Sequence, residues 1–161
     1  MARTLTRFAV PLSLLALAGA ARAQPPVPRP SPEAVKSTWD YYYRAQGQGP
    51  VLVELKLCLE VAREGPRRFE CTVEAPAGGL KAGTPVMVWQ SYLLPQGDTA
   101  DDLTVQVKQG GTLRETKDVT LKGEGWRARQ WVGVRFTRPG AWSVSVLRGG
   151  QVLRTLDVKV L

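Results

Sequence analysis

The amino-acid sequence predicts a mainly β protein, an antiparallel β-sandwich of about seven to eight strands with a short N-terminal helix. Two observations support this prediction. From residue 51, apolar and polar side chains alternate with a period of two, which is typical of a strand with one buried face and one wetted face. Short apolar segments then alternate with turns that contain glycine or proline, as in chains of antiparallel hairpins.

The first 23 residues resemble a cleavable export signal. Arg3 and Arg7 supply a positive start, residues 8–20 form a short apolar stretch, and residues 21–23 give a small-x-small cleavage site. The apolar stretch contains Pro11 and is shorter than the about 20 residues that a spanning helix needs. We therefore expect a protein that acts in the periplasm, in the medium or at the cell surface. The bias of the sequence towards Ala, Gly, Arg, Val and Leu is typical of a GC-rich bacterial gene.

The composition argues against several functional classes. The 161-residue chain has a net charge of +8 and contains neither His nor Asn. Without His there is no Ser-His or Cys-His catalytic pair and no imidazole metal ligand, and without Asn there is no N-glycosylation acceptor. The positive charge favours acidic protein surfaces, acidic glycans or anionic lipid headgroups as partners, and we expect neither an enzyme nor a nucleic-acid-binding protein.

Four prolines in residues 24–31 predict an extended linker. A helix is predicted over residues 32–46, because Ser31 can cap its N-terminus, Pro32 suits the first helical position, and Gly47 can stop it. The remaining residues, 48–161, form the predicted sandwich domain.

The predicted helix carries one apolar stripe. Val35, Trp39 and either Tyr42 or Tyr43 recur at helical spacing, and we expect this stripe to pack on the sheet. A strand through Trp39, Tyr41 and Tyr43 is the alternative, because aromatic residues are enriched in strands.

The strand from Val51 to Val61 shows the clearest alternation in the chain. Its odd-numbered residues are apolar and predicted to be buried, whereas its even-numbered residues, Cys58 among them, are predicted to face solvent. The other candidate strands are Phe69–Glu74, Val86–Leu94, Leu103–Lys108, Leu113–Leu121, Arg129–Thr137, Trp142–Arg148 and Val152–Val160.

Side-chain parity predicts the length of two hairpin loops. Trp142, Val144 and Val146 share a face of one strand, and the apolar residues of the next strand are also even-numbered. A three-residue loop at residues 149–151 with a glycine bulge keeps both sets on one face, and the same reasoning predicts three residues at 109–111.

Cys58 and Cys71 are the only cysteines, and they lie in consecutive candidate strands of an exported chain, so we predict a structural disulfide between them. A direct cross-strand pair would centre the hairpin between residues 64 and 65. Because Cys58 and Cys71 fall on opposite faces of regular strands, a bulge near residues 60–68 is also expected.

Two groups of charged residues are candidate binding sites. Asp98, Asp101 and Asp102 lie close together in one loop and could supply oxygen ligands to calcium, although a solvated polar loop is the simpler interpretation. No other cofactor is indicated.

The second group lies on the strand that carries Val134. Arg127, Arg129, Trp131 and Arg135 share the face opposite that residue, and such a row can bind anionic groups or a sugar through guanidinium forks and ring stacking. The alternatives are a solvated face on which arginine stems shield Trp131, or a Trp131 covered by the N-terminal helix.

The C-terminal quarter of the chain resembles the last hairpin of immunoglobulin-like sandwich domains in bacterial envelope proteins. The resemblance rests on residues 139–146, a glycine turn and residues 152–160. It implies a domain that binds partners rather than one that catalyses a reaction, and it carries over no functional residue.

These features together predict a non-enzymatic interaction or structural module of the bacterial cell envelope that binds another envelope protein, with a secretion or motility assembly as its expected setting. One alternative is a small binding protein for an acidic glycan or calcium. Another is an eight-stranded outer-membrane barrel, which fits the strand count, although the strand lengths are uneven.

Overall fold

A computed structural model describes residues 30–44 and 49–161, so the predicted export signal, most of the linker and the predicted helix end at residue 46 lie outside the described residues. Within these ranges no helix is long and apolar enough to cross a membrane. The described chain forms one helix and eight strands: α1 (Pro32–Arg44), β1 (Val51–Val61), β2 (Cys71–Glu74), β3 (Pro85–Leu93), β4 (Thr99–Gln109), β5 (Thr112–Lys122), β6 (Ala128–Arg135), β7 (Gly140–Arg148) and β8 (Gln151–Val160). All eight predicted strands are therefore present.

The strands form two antiparallel four-stranded sheets with the orders β2-β1-β3-β6 and β5-β4-β7-β8. The pairing of β3 with β6 corresponds to the B–E pair of immunoglobulin domains, and β5-β4-β7-β8 corresponds to C′-C-F-G. The fold is thus an immunoglobulin-like β-sandwich, as the sequence predicts. The alternative of a single closed eight-stranded sheet is wrong, because the strands divide between two sheets with separate edges.

The main core fills the space between the two sheets. Trp142, Val144 and Val146 of β7 and Val134 of β6 are buried there, as predicted, and Phe136 packs edge-on against Trp142 with ring centroids 5.3 Å apart. The segment after β2 closes the edge of β8 through a parallel bridge between Leu80 and Val160. These contacts hold the two sheets together, so the opposite face of the first sheet lies on the outside of the sandwich.

The predicted burial of β1 is wrong in detail. Leu52, Leu55 and Cys58 are buried, whereas Leu59, which was predicted to be buried, is 37% exposed. Register shifts occur at residues 52–54, 58–60 and 60–61 of this strand, and each shift changes which side chains face the core. Sequence alternation therefore identified the strand but not its buried face.

Two predicted hairpin loops are shorter than expected. Gln109 pairs with Thr112 and Arg148 pairs with Gln151, so each turn contains only two glycines, and all four have positive φ. The one-residue offset that the longer loops were expected to supply is present as a register shift within each hairpin. The shift lies between residues 107 and 108 in one hairpin and between residues 146 and 147 in the other. The apolar residues of β7 and β8 reach a common face for this reason.

The helix begins as predicted but packs differently. The Ser31 hydroxyl accepts a hydrogen bond from the Ala34 amide at 3.2 Å, which is an N-cap. Ala34 is buried, whereas Val35, Trp39 and Tyr43 are 51%, 53% and 67% exposed. The predicted apolar stripe therefore faces away from the sheet, and the alternative of a strand in this segment is wrong.

Candidate functional site

The predicted disulfide between Cys58 and Cys71 is present on the outer face of the first sheet. The two residues are not directly opposite, since Val61 pairs with Cys71 and Cys58 pairs with Glu74. The cysteines are therefore not a direct cross-strand pair, and the hairpin is not centred between residues 64 and 65. The predicted irregularity is confirmed, because the register shifts after Cys58 and again after Glu60, and these shifts turn both sulfur atoms to one side.

The loop between these cysteines, residues 62–70, folds back over the same face. The Phe69 amide donates to the Ala62 carbonyl at 2.6 Å, and the Phe69 carbonyl accepts from the Trp89 indole at 2.7 Å. These bonds hold Phe69 at a φ of 68°, a left-handed conformation that side-chain-bearing residues rarely adopt. We call this segment the disulfide loop.

The disulfide loop covers a second, smaller apolar cluster outside the main core. Cys58, Val61 and Trp89 are buried in it, and Trp131 is half-buried beside them. Trp89 therefore packs on the outer face of the first sheet and not in the main core. The Phe69 ring lies 5.5 Å from the Trp131 ring, so the disulfide loop, rather than the N-terminal helix, shields this tryptophan.

Arg127 and Arg129 lie beside one another at the N-terminal end of β6, and they share one carboxylate. Glu70 Oε1 lies 2.6 Å from Arg129 Nη2 and 3.9 Å from Arg127 Nη1. Arg127 Nε also donates to the Ser91 hydroxyl at 3.3 Å. Burial of the Arg129 guanidinium lowers its pKa, and repulsion from Arg127 adds to this effect, while attraction to Glu70 opposes it. Positive charge therefore exceeds negative charge at this position.

A surface cleft of about 560 Å³ opens beside these two arginines. Phe69 forms part of its wall, and Lys122 and Glu124 line it from β5 and the following turn. The Arg129 Nε atom is buried without a hydrogen-bond partner in the described part of the chain. We call this feature the arginine cleft, and it offers guanidinium and ammonium donors next to an aromatic ring.

Arg135 belongs to a different depression. It lies at the other end of β6, beside a depression of about 600 Å³ that Leu59, Met87 and Gly133 also line. Lys117 donates to the Gly133 carbonyl at 2.5 Å. The predicted row of Arg127, Arg129, Trp131 and Arg135 is therefore divided into two sites on either side of a shielded tryptophan.

The three candidate calcium ligands are all exposed, Asp98 in a turn and the other two in β4. Asp102 forms an ion pair with Arg148 at 2.8 Å. Across residues 30–44 and 49–161, no three acidic or cysteine side chains form a group that could hold a metal ion. The proximity of Asp98, Asp101 and Asp102 in sequence does not bring their carboxylates together.

Sequence reasoning missed Phe69, Glu70 and Lys122 as members of the site. The first two immediately precede Cys71, so their position next to a predicted disulfide was the one signal that could have found them. Lys122 comes from the opposite sheet, and no local pattern links it to the arginines.

No family model and no curated protein matches the chain. Several solved structures resemble the chain. The C-terminal domain of Wzt is 11% identical, covers 72% of this chain and 76% of its own, and gives a TM-score of 0.46. An immunoglobulin-like protein from Pseudomonas aeruginosa is 18% identical, covers 71% and 94%, and gives 0.41.

A CARDB domain from Pyrococcus furiosus, solved with di-metal ions, is 13% identical, covers 74% of this chain and 98% of its own, and gives a TM-score of 0.35. At these identities and TM-scores, the likeness carries no argument about ligands or activity.

Proposed function

We propose that this protein is a non-enzymatic, exported binding module of the bacterial cell envelope and that the arginine cleft binds a carboxylate-bearing surface of a protein partner. The observation that carries this proposal is the charge imbalance at the cleft, where three cationic side chains meet two carboxylates. The cations are Arg127, Arg129 and Lys122, and the carboxylates are Glu70 and Glu124. A role within a secretion or motility assembly fits such a module.

Charge and geometry favour an anionic ligand. An arginine binds a carboxylate through two parallel hydrogen bonds, and such charge-assisted bonds are stronger than neutral ones. A partner carboxylate that enters the cleft can accept from Arg127 and Lys122 while Glu70 continues to hold Arg129.

The disulfide and the export-like first 23 residues support an extracytoplasmic location, because disulfides persist in oxidising compartments. The absence of His from the sequence supports a binding role over acid–base or nucleophilic catalysis. An acidic glycan offers the same carboxylate chemistry, and it is the second candidate for the arginine cleft.

Arg127→Glu tests the proposal, because Arg127 is more exposed than Arg129 and lies farther from Glu70. A photo-crosslinking residue in place of Thr120, an exposed residue that lines the cleft, should form a specific protein adduct in the native envelope, and Arg127→Glu should abolish that adduct. Arg114→Glu, on an exposed part of β5, is the matched control and should leave the adduct unchanged.

The unfolding free energy of Arg114→Glu should stay within about 0.5 kcal/mol of the wild type, as is usual for surface substitutions. Arg127→Glu should remain folded but lose about 1–3 kcal/mol, because it removes the hydrogen bond to the buried Ser91 hydroxyl. An adduct that persists in Arg127→Glu would refute the assignment of the cleft. If a soluble polyuronate prevented formation of the adduct, and if the adduct contained no second protein, the glycan candidate would be favoured.

A further inference from the structure

The depression beside Arg135 contains an unexplained glycine. Gly133 lies within β6, where glycine weakens a strand, and it has neither a positive φ nor a neighbouring atom within 4 Å of the position that a Cβ would take. Neither backbone conformation nor packing therefore requires glycine here. A glycine inside a strand often marks a place where another chain approaches closely.

The floor of this depression is apolar. Gly133 pairs with Met87 of β3, and the exposed side chain of Leu59 and the ring of Pro85 complete the lining. We call this feature the Gly133 depression. A side chain added at position 133 would project over Met87, so the glycine keeps an apolar surface open.

Charged residues surround this apolar floor. Lys117 and Arg135 lie on its rim, with Glu115 beside Lys117 at 3.1 Å. Two positive groups against one negative group repeat the charge imbalance of the arginine cleft. An acidic chain with an apolar side chain is complementary to this surface, whereas a glycan has no apolar side chain to place on the floor.

The two depressions lie along one strand. Residues of β5 and β6 line both, and Arg129 and Gly133 are four positions apart on β6. At about 3.3 Å per residue, the two sites are separated by about 13 Å. A single extended segment of four to five residues, as in a strand, is long enough to reach both.

The free edge of β6 is partly occupied by side chains. Lys117 donates to the Gly133 carbonyl, and the Gln130 side chain accepts from the Trp131 amide at 3.2 Å. Such side-chain caps discourage the addition of another strand. A partner segment would therefore lie over the outer side of β6 and bind through its side chains.

We propose that the partner is a polypeptide with an extended acidic segment, and that this segment places a carboxylate in the arginine cleft and an apolar side chain, four residues away, in the Gly133 depression. This inference rests on the proposed function and deepens it. It identifies Gly133 as a residue that determines specificity.

The test uses a displayed library of random nonapeptides, selected on the purified disulfide-bonded protein. We expect enrichment of peptides with Asp or Glu four positions from Leu, Met or Phe. A synthetic copy of an enriched peptide should bind Gly133→Val at least about tenfold more weakly, since one lost apolar contact is worth about 1–3 kcal/mol.

Gly133→Val should fold normally, because the site is open and valine favours strands. Leu59→Asp is a second variant that alters the floor from an exposed position, and it should weaken binding similarly. Arg114→Glu should bind the peptide as the wild type does.

The inference would be overturned if Gly133→Val and Leu59→Asp bound the peptide as tightly as the wild type does. It would also be overturned if the enriched peptides were acidic but had no preferred apolar residue. A library that yields no enriched peptide would also overturn it. The crosslink that depends on Arg127 would survive each of these outcomes if the proposed function is correct, so the two failures are distinguishable.

Discussion

Phe69 forms part of the wall of the arginine cleft, and Glu70 is the carboxylate that its two arginines share. Phe69 keeps a left-handed backbone because Ala62 and Trp89 hydrogen bond to it on both sides. Residues held in such conformations cluster at ligand sites, where the surrounding structure compensates for the strain. The chemistry of the cleft therefore depends on two residues that carry no recognisable motif.

Gly123 is required for a close approach between two turns. A Cβ at this position would lie 1.7 Å from the Pro95 carbonyl oxygen, and the Gly123 amide and carbonyl bond to Asp98 and Gly97 at 2.8 and 3.0 Å. We expect Gly123→Ala to lower the free energy of unfolding by about 1–3 kcal/mol or more, because the backbone at Pro95 must move to make room for the methyl group.

Chemical denaturation measures this loss. Gly78→Ala is the matched control, because a Cβ there meets no atom within 4 Å, and its unfolding free energy should stay within about 0.5 kcal/mol of the wild type. Equal stability of Gly123→Ala and Gly78→Ala would contradict the close approach.

In the helix and the strands, sequence periodicity does not reveal which face is buried. In α1 the small residue Ala34 faces the sandwich, while Trp39 and Tyr43 stack on each other at 4.3 Å on the exposed side. An apolar stripe identified the helix, but the side that docks depends on the space left by β1. In the same way, three register shifts in β1 altered the predicted buried face.

The disulfide loop depends on its covalent link. Cys58 and Cys71 are separated by 13 positions, and closing a loop of that size stabilises a protein by about 3 kcal/mol. The double variant Cys58→Ala/Cys71→Ala should therefore lose about 2–5 kcal/mol of unfolding free energy in denaturant titrations.

The wild type in a reducing agent should show a comparable loss, whereas the double variant should not respond to the reductant. An unchanged denaturation midpoint after complete reduction would show that hydrogen bonds alone hold the loop.

For the whole molecule, stability should fall at alkaline pH. Burial raises the pKa of Tyr92 above its ordinary value of 10.0, so the folded state keeps the phenol neutral while the unfolded state ionises. For Lys56, burial lowers the pKa, but hydrogen bonds to Glu74 and Glu54 and the attraction of their charges together raise it above its ordinary value. Both contributions are complete below about pH 10 and are lost as the pH rises further.

Thermal denaturation from pH 8 to 11 measures this effect. Tyr92→Phe should unfold at a lower temperature at pH 8, because the Tyr92 hydroxyl donates to the buried Gln90 side chain. Its melting temperature should nevertheless decline less steeply above pH 10 than that of the wild type. Identical slopes would contradict the assignment to Tyr92.

The sequence by itself determined the fold class, all eight strands, the helix N-cap, the disulfide pair and the strand that carries the arginines. These features follow from local periodicity, turn residues and cysteine number. Only the tertiary structure decided which faces are buried, that Trp131 is shielded, and that Glu70 and Lys122 join the two arginines. The physical reason is that register shifts and a loop folded across a sheet bring together residues far apart in sequence, which no local pattern encodes.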